Sequence, residues 1–189
     1  MSEEISKEMR EIVKALVDTK REGILDLCYY MEQNGFYESP CSGGNHLAAE
    51  GGLAKHSLNV YHTALDIAKA LKYDNTEAIT ICALLHDLGK IGQFDKPNYV
   101  PNILKGGKAS EAKPFKTNPE LLPVDHEIRS IAIATMFIDL TEEEQFAILY
   151  HNGMYSNLKY ALQGHETPLY LIIHMADMWA SRVLEKEDN

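Results

Sequence analysis

Cysteine, aromatic residues, basic charge and long apolar runs are all scarce in this chain, and each scarcity removes a class of protein. The three cysteines, Cys28, Cys41 and Cys82, show no paired metal-ligand spacing. A chain of 189 residues buries a core without disulfides, so a reducing, cytoplasmic setting is expected. Cys28 and Cys82 lie in apolar helical contexts and are expected to be buried thiols. No run of eighteen apolar residues exists, and Met1-Ser2-Glu3-Glu4 is acidic where a secretory leader is basic, so the expectation is a soluble protein without a membrane partner. Lys and Arg total 18 against 28 Asp and Glu, a net charge of -10 that repels duplex nucleic acid over most of the surface. An aromatic content of 8% also argues against stacking on single strands.

What the chain does have is helical periodicity. Between Ser6 and about Gln33, apolar residues recur at three- and four-residue steps, with Gly23 as a candidate break. A loop through Ser39-Pro40 and Ser42-Gly43-Gly44-Asn45 precedes a helix expected from about Gly52. Asn75 is a candidate N-cap for the next helix, with Gly89 positioned to end it. Residues 91–125 carry five prolines and Gly106-Gly107, and predict a long irregular loop or short hairpin over the domain's mouth. Helices are expected again from Asp125 or His126 to about Ile138, from Thr141 with a capping box to Glu144, and from Thr167-Pro168 through Val183.

On these helices, or at their edges, lie His56, His86-Asp87, His126, His151 and Asp177. Taken singly, each histidine is better read as a half-buried, hydrogen-bonded residue. Six candidates in five separate segments instead predict one metal site, since neighbours such as His86 and Asp87 share a centre most easily where a helix ends and others converge. An Asp inside the apolar last helix is costly to bury without a cation or a strong hydrogen-bond partner.

His56, the His86-Asp87 doublet and Asp177 resemble the defining pattern of the HD superfamily of metal-dependent phosphohydrolases, over about residues 45–182. Gly51-Gly52-Leu53-Ala54-Lys55-His56-Ser57 is similar to the first-histidine segment of HD domains, including those attached to some bacterial exoribonucleases. The segment from Asn118 to Arg182 resembles small HD proteins of Firmicutes and their phages. The resemblance implies an all-α HD-domain helical bundle spanning 1–189, with N-terminal helices and loop at 1–44, the core at 45–182 and a lid-like insertion at 91–125. It further implies a divalent metal site. His126 and His151 fall where HD proteins with two metals carry additional histidines, so two ions bridged by Asp87 are expected. Fe(II) or Mn(II) is favoured, with Mg, Ni, Co or Zn as alternatives.

The expected function is hydrolysis of a phosphomonoester or phosphodiester of a nucleotide or related phosphorylated small molecule by a metal-bound hydroxide. Asp87 and Lys90 are the expected catalytic residues. Lys90, His46, Arg129, Lys105 and Lys108 are the candidate substrate contacts, the last two belonging to a lysine-rich loop that also holds Lys96, Lys113 and Lys116. His62, His165 and His174 are expected to be structural. A mixed-valent di-iron oxygenase shares the same ligand order, and a non-catalytic nucleotide-binding HD module is the third alternative.

Overall fold

The computed structural model describes residues 3–156 and 159–186; the Met1-Ser2 start of the acidic N-terminal segment lies outside them. Among the described residues, helix including 3₁₀ turns makes up 56% and the strands form only two small sheets, so the fold is all-α. The helices are α1 (Glu3–Asp18), α2 (Ile24–Gln33), α3 (Gly52–Leu71), α4 (Thr76–Leu85), α5 (His126–Ala134), α6 (Glu142–Tyr150), α7 (Lys159–Leu162) and α8 (Pro168–Arg182).

Helix α4 occupies the centre. Every residue from Ala78 to Leu85 is buried, which an all-round apolar helix requires. It packs against α1, α3, α6 and α8, and α3 also packs along α8. The local start signals hold. Asn75 accepts from the Ala78 N–H, Thr141 and Glu144 form a capping box, and Thr167 accepts from the Tyr170 N–H with Pro168 at the first helical position.

The end of α4 differs from expectation. The helix stops at Leu85, His86 caps it, and the chain tightens into a 3₁₀ turn over Leu88–Ile91. Gly89 sits inside that turn, and its role is close approach. A Cβ there would stand 2.1 Å from the His126 carbonyl oxygen and 2.7 Å from the Arg129 Cβ, so only glycine lets α5 lie against the doublet. The Gly89 N–H donates to Ser130 Oγ, whose hydroxyl lies 2.7 Å from the His86 carbonyl. Helix α5 is also shorter than its periodicity suggests, giving way to turns after Ala134.

Within residues 91–125, two small antiparallel sheets pair β1 (Gly92–Gln93) with β2 (Lys96–Pro97) and β3 (Tyr99–Pro101) with β4 (Phe115–Thr117). The Phe115 N–H donates to the Gly43 carbonyl, which ties the segment to the glycine loop before α3.

One ion-pair group connects the scaffold behind the site. Arg21, between α1 and α2, donates to both carboxylate oxygens of Glu144 at 2.8 Å and to Glu77 Oε1. Glu144 is buried and also receives the Thr141 N–H. Truncating Arg21 would leave that carboxylate in the interior without its counter-charge, which costs about 3 kcal/mol. Arg21→Ala is therefore expected to lower the urea midpoint accordingly, and a shift below about 0.5 kcal/mol would show the pair to be dispensable.

Candidate metal centre

Three helix ends and two helix bodies deliver the candidate ligands. His86 and Asp87 follow α4, His126 opens α5, and His151 caps α6, while His56 and Asp177 stand within α3 and α8. All six meet around the Asp87 carboxylate, which is 1% exposed. Asp87 Oδ2 lies 3.4 Å from both His56 Nε2 and His86 Nε2, and His56 Nε2 lies 3.3 Å from Asp177 Oδ1. Asp87 Oδ1 faces a different pair, 3.1 Å from His126 Nε2 and 3.5 Å from His151 Nε2.

The outer nitrogens explain why four Nε2 atoms turn inward. His86 Nδ1 is 2.9 Å from the Ala83 carbonyl and His151 Nδ1 is 2.7 Å from the Ile148 carbonyl, in each case three residues back along the preceding helix. A carbonyl only accepts, so each Nδ1 carries a proton and Nε2 is left as the nitrogen that each ring can offer to a metal. His56 Nδ1 meets the Glu185 carboxylate at 2.9 Å, and His126 Nδ1 stands 3.3 Å from Glu127 Oε2.

Without a cation this arrangement is unfavourable. His56 Nε2 and His86 Nε2 are only 3.3 Å apart, and Asp87 Oδ1 is buried with no hydrogen-bond partner. Donor atoms held about 2.1 Å from one ion stand about 3.0–3.4 Å from each other in octahedral or tetrahedral geometry, which matches these spacings. His56, His86 and Asp177 form one group that could hold an ion, and His86, Asp87 and His151 form another. The residues present thus fit divalent metal.

The electrostatics follow the same logic. Burial opposes a charge on Asp87, yet Lys90 and the surrounding histidines hold its carboxyl well below the usual range. Asp177 is likewise depressed, because His56 outweighs its burial. Burial also opposes charge on His56, but Cys41, Asp177 and Glu185 hold its imidazole well above the ordinary value; His151 is raised by Asp87 in the same way. His86, where burial dominates, is lowered.

The other expected contacts divide. Lys90 Nζ lies 2.6 Å from Asp87 Oδ2, because the 3₁₀ turn brings residues three apart onto one side. His46 bonds Glu185 through Nδ1 and lines the cavity above the centre, and its pKa is pushed up to about 9, burial being outweighed by Cys41 and Glu185. Arg129 is buried and directed elsewhere, to Gln93 Oε1 and the Leu122 carbonyl. Lys105 and Lys108 are exposed in the insertion and do not border the cavity, which the insertion meets at Glu111, Ala112 and Pro114. The cavity, about 1080 Å³, is bordered by Lys55, Arg182 and Lys186, which sequence reasoning did not single out, and equally by Glu8, Glu50 and Glu111.

Three further residues escaped the sequence. The Cys41 thiol is buried 4.0 Å from Asp87 Oδ2 and 3.7 Å from Lys90 Nζ, and with His46 and His56 it makes a third grouping capable of holding a metal. Asn152 donates to Glu127 Oε1 at 2.6 Å. Glu185 is fully buried beside His56. His174, expected to be structural, has Nδ1 2.7 Å from the His151 carbonyl and its ring against Gly153, where a Cβ would meet it at 2.4 Å. His62 pairs with Glu11 well away from the centre.

Helices that converge four imidazoles and two carboxylates on one buried point define a helical domain with a candidate metal centre. The HD-domain family model matches residues 53–177, more than half of the chain and inclusive of His56 and Asp177. The chain belongs to the HD-domain superfamily, whose members are mostly metal-dependent hydrolases. No curated protein and no solved structure matches it.

Metal must displace the protons that the raised pKa values of His56 and His151 retain. Their competition is absent at high pH and sets in as pH falls, beginning above the ordinary imidazole value of about 6.5 because both are raised. Mn(II) titrations are therefore expected to show affinity weakening as pH falls, with the onset above the ordinary imidazole value, and protons released on binding. Affinity independent of pH would contradict protonatable imidazole ligation.

Proposed function

We propose that the protein is a two-metal phosphohydrolase acting on a phosphate ester of a nucleotide or a related phosphorylated small molecule. One observation carries the reading. The two oxygens of Asp87 face two separate sets of donors, Oδ2 toward His56 and His86 and Oδ1 toward His126 and His151. A carboxylate in that position would hold two ions, one on each oxygen, with Asp177 available on the Oδ2 side. The nitrogen and oxygen donors around it suit Fe(II) or Mn(II).

The metal pair, when bound, supplies an activated water and Lewis acids for the phosphoryl oxygens. The chain's own residues do the rest. Lys90, beside Asp87, offers its ammonium to a non-bridging phosphoryl oxygen, where charge grows during in-line displacement. Lys55, Arg182 and Lys186, set among Glu8, Glu50 and Glu111 on the cavity lining, offer point contacts to an anionic substrate, and His46 borders the same space. Lys105 and Lys108 contribute attraction only at longer range. The insertion over residues 91–125 acts as the lid, contributing Glu111 and Pro114 to the cavity wall. A volume of about 1080 Å³ accommodates a nucleotide with its base and sugar.

The test is a panel of phosphomonoesters, cyclic nucleotides, dinucleotides and deoxynucleoside triphosphates with Mn(II)- and Fe(II)-loaded protein. Turnover of at least one is expected, with Asp87→Asn lowering kcat/KM by at least about 10³-fold and Lys90→Ala by about 10²–10³-fold. Metal-loaded protein that leaves the whole panel intact would overturn the reading. Substrate-dependent oxygen uptake with a mixed-valent di-iron signal would replace it with the oxygenase.

A further inference from the structure

Glu185 lies beyond the family match, in a 3₁₀ turn at Leu184–Lys186 that follows α8, yet it is 0% exposed. A carboxylate without solvent needs donors for both oxygens. It has three. His56 Nδ1 stands 2.9 Å from Oε1 and 3.1 Å from Oε2, Asn59 Nδ2 donates to Oε1 at 3.0 Å, and His46 Nδ1 meets Oε2. One turn of α3 separates His56 from Asn59, so this helix face supplies two of the donors.

The four inward histidines differ in how their outer nitrogens are held. His86 and His151 lean on carbonyls of their own helices, contacts that arise within each segment. His56 sits in the body of α3, where the carbonyls around it are committed to the helix, so its ring needs a partner from elsewhere. Glu185 comes from a distance of 129 residues in sequence to supply it. Its second oxygen holds His46, which stands in the loop on the substrate side of the cavity, with the His46 and His56 ring centroids 5.0 Å apart.

We infer that Glu185 is a positioning residue: it fixes the proton on His56 Nδ1 so that Nε2 is presented to metal, and it ties that ligand to the His46 loop. This rests on the metal-centre reading of His56. A carboxylate behind a metal-binding imidazole orients the ring and raises its basicity, and losing such a partner weakens metal binding about 10–100-fold. Because one carboxylate serves both histidines, the metal ligand and the cavity loop are held together by a single side chain.

The experiment titrates full-length protein with Co(II), following its visible absorption, and then records the exchangeable histidine ring N–H resonances of the loaded form by NMR. Glu185→Ala is expected to bind Co(II) about 10–100-fold more weakly and to lose the protected Nδ1–H signal of His56, while the His86 and His151 signals persist. Glu185→Gln, whose amide oxygen still accepts one Nδ1–H, is expected to recover part of both. Unchanged affinity with the His56 signal retained would overturn the inference. So would simultaneous loss of the His56, His86 and His151 signals in both variants, which marks Glu185 as a general fold determinant. A parent protein that binds no Co(II) at all would refute the metal-centre reading itself, a result distinct from either.

Discussion

The constraint on which this structure depends is the convergence of lone pairs on a buried carboxylate. Asp87 accepts approach from four imidazoles and a lysine inside the protein, with one of its oxygens left without a hydrogen bond. Neutral imidazoles aiming Nε2 at one another and at carboxylates repel unless positive charge stands between them. Protons serve in part, as the raised affinities of His56 and His151 indicate, but they do not leave the donors at metal-ligand spacing by accident. Helices α3, α4, α5, α6 and α8 deliver the members of this otherwise unfavourable cluster, a cost that functional sites typically impose on stability.

That cost explains the rigidity built behind the ligands. Central α4 is anchored by burial on all sides, so the doublet at its end has little freedom. Gly89 lets α5 close onto the doublet, and Ser130 links that helix to the His86 backbone. Arg21 joins α4 and α6 through Glu77 and Glu144, fixing the two helices whose ends carry His86 and His151 relative to each other. The substrate side is built differently, from the glycine loop, the 91–125 segment and the C-terminal turn, where side-chain and backbone contacts tie irregular pieces together.

This division is also the division between what could be read in the sequence and what could not. The helix starts at Asn75, Thr141 and Thr167 rest on capping within a few residues, and the ligands His86 and His151 stand at the far ends of the helices that Asn75 and Thr141 open. Gly89 was legible as special but not for the right reason, since its role is set by α5, 40 residues away in contact though not in pattern. Glu185, Cys41 and the cavity residues Lys55, Arg182 and Lys186 have no local pattern to mark them, because their meaning comes from tertiary juxtaposition. The lysine-rich loop shows the converse case. Its composition suggested substrate contact, but backbone pairing turns Lys105 and Lys108 to solvent and presents Glu111 and Pro114 to the cavity.

The central claim is that Asp87 bridges two metal ions. Anomalous diffraction at the Mn absorption edge from crystals of Mn(II)-loaded protein tests it most directly. The account predicts two peaks, one beside His56, His86 and Asp177 and the other beside His126 and His151, on either side of the Asp87 carboxylate. A single peak at the His56, His86 and Asp177 side, with His126 and His151 unligated, would contradict it.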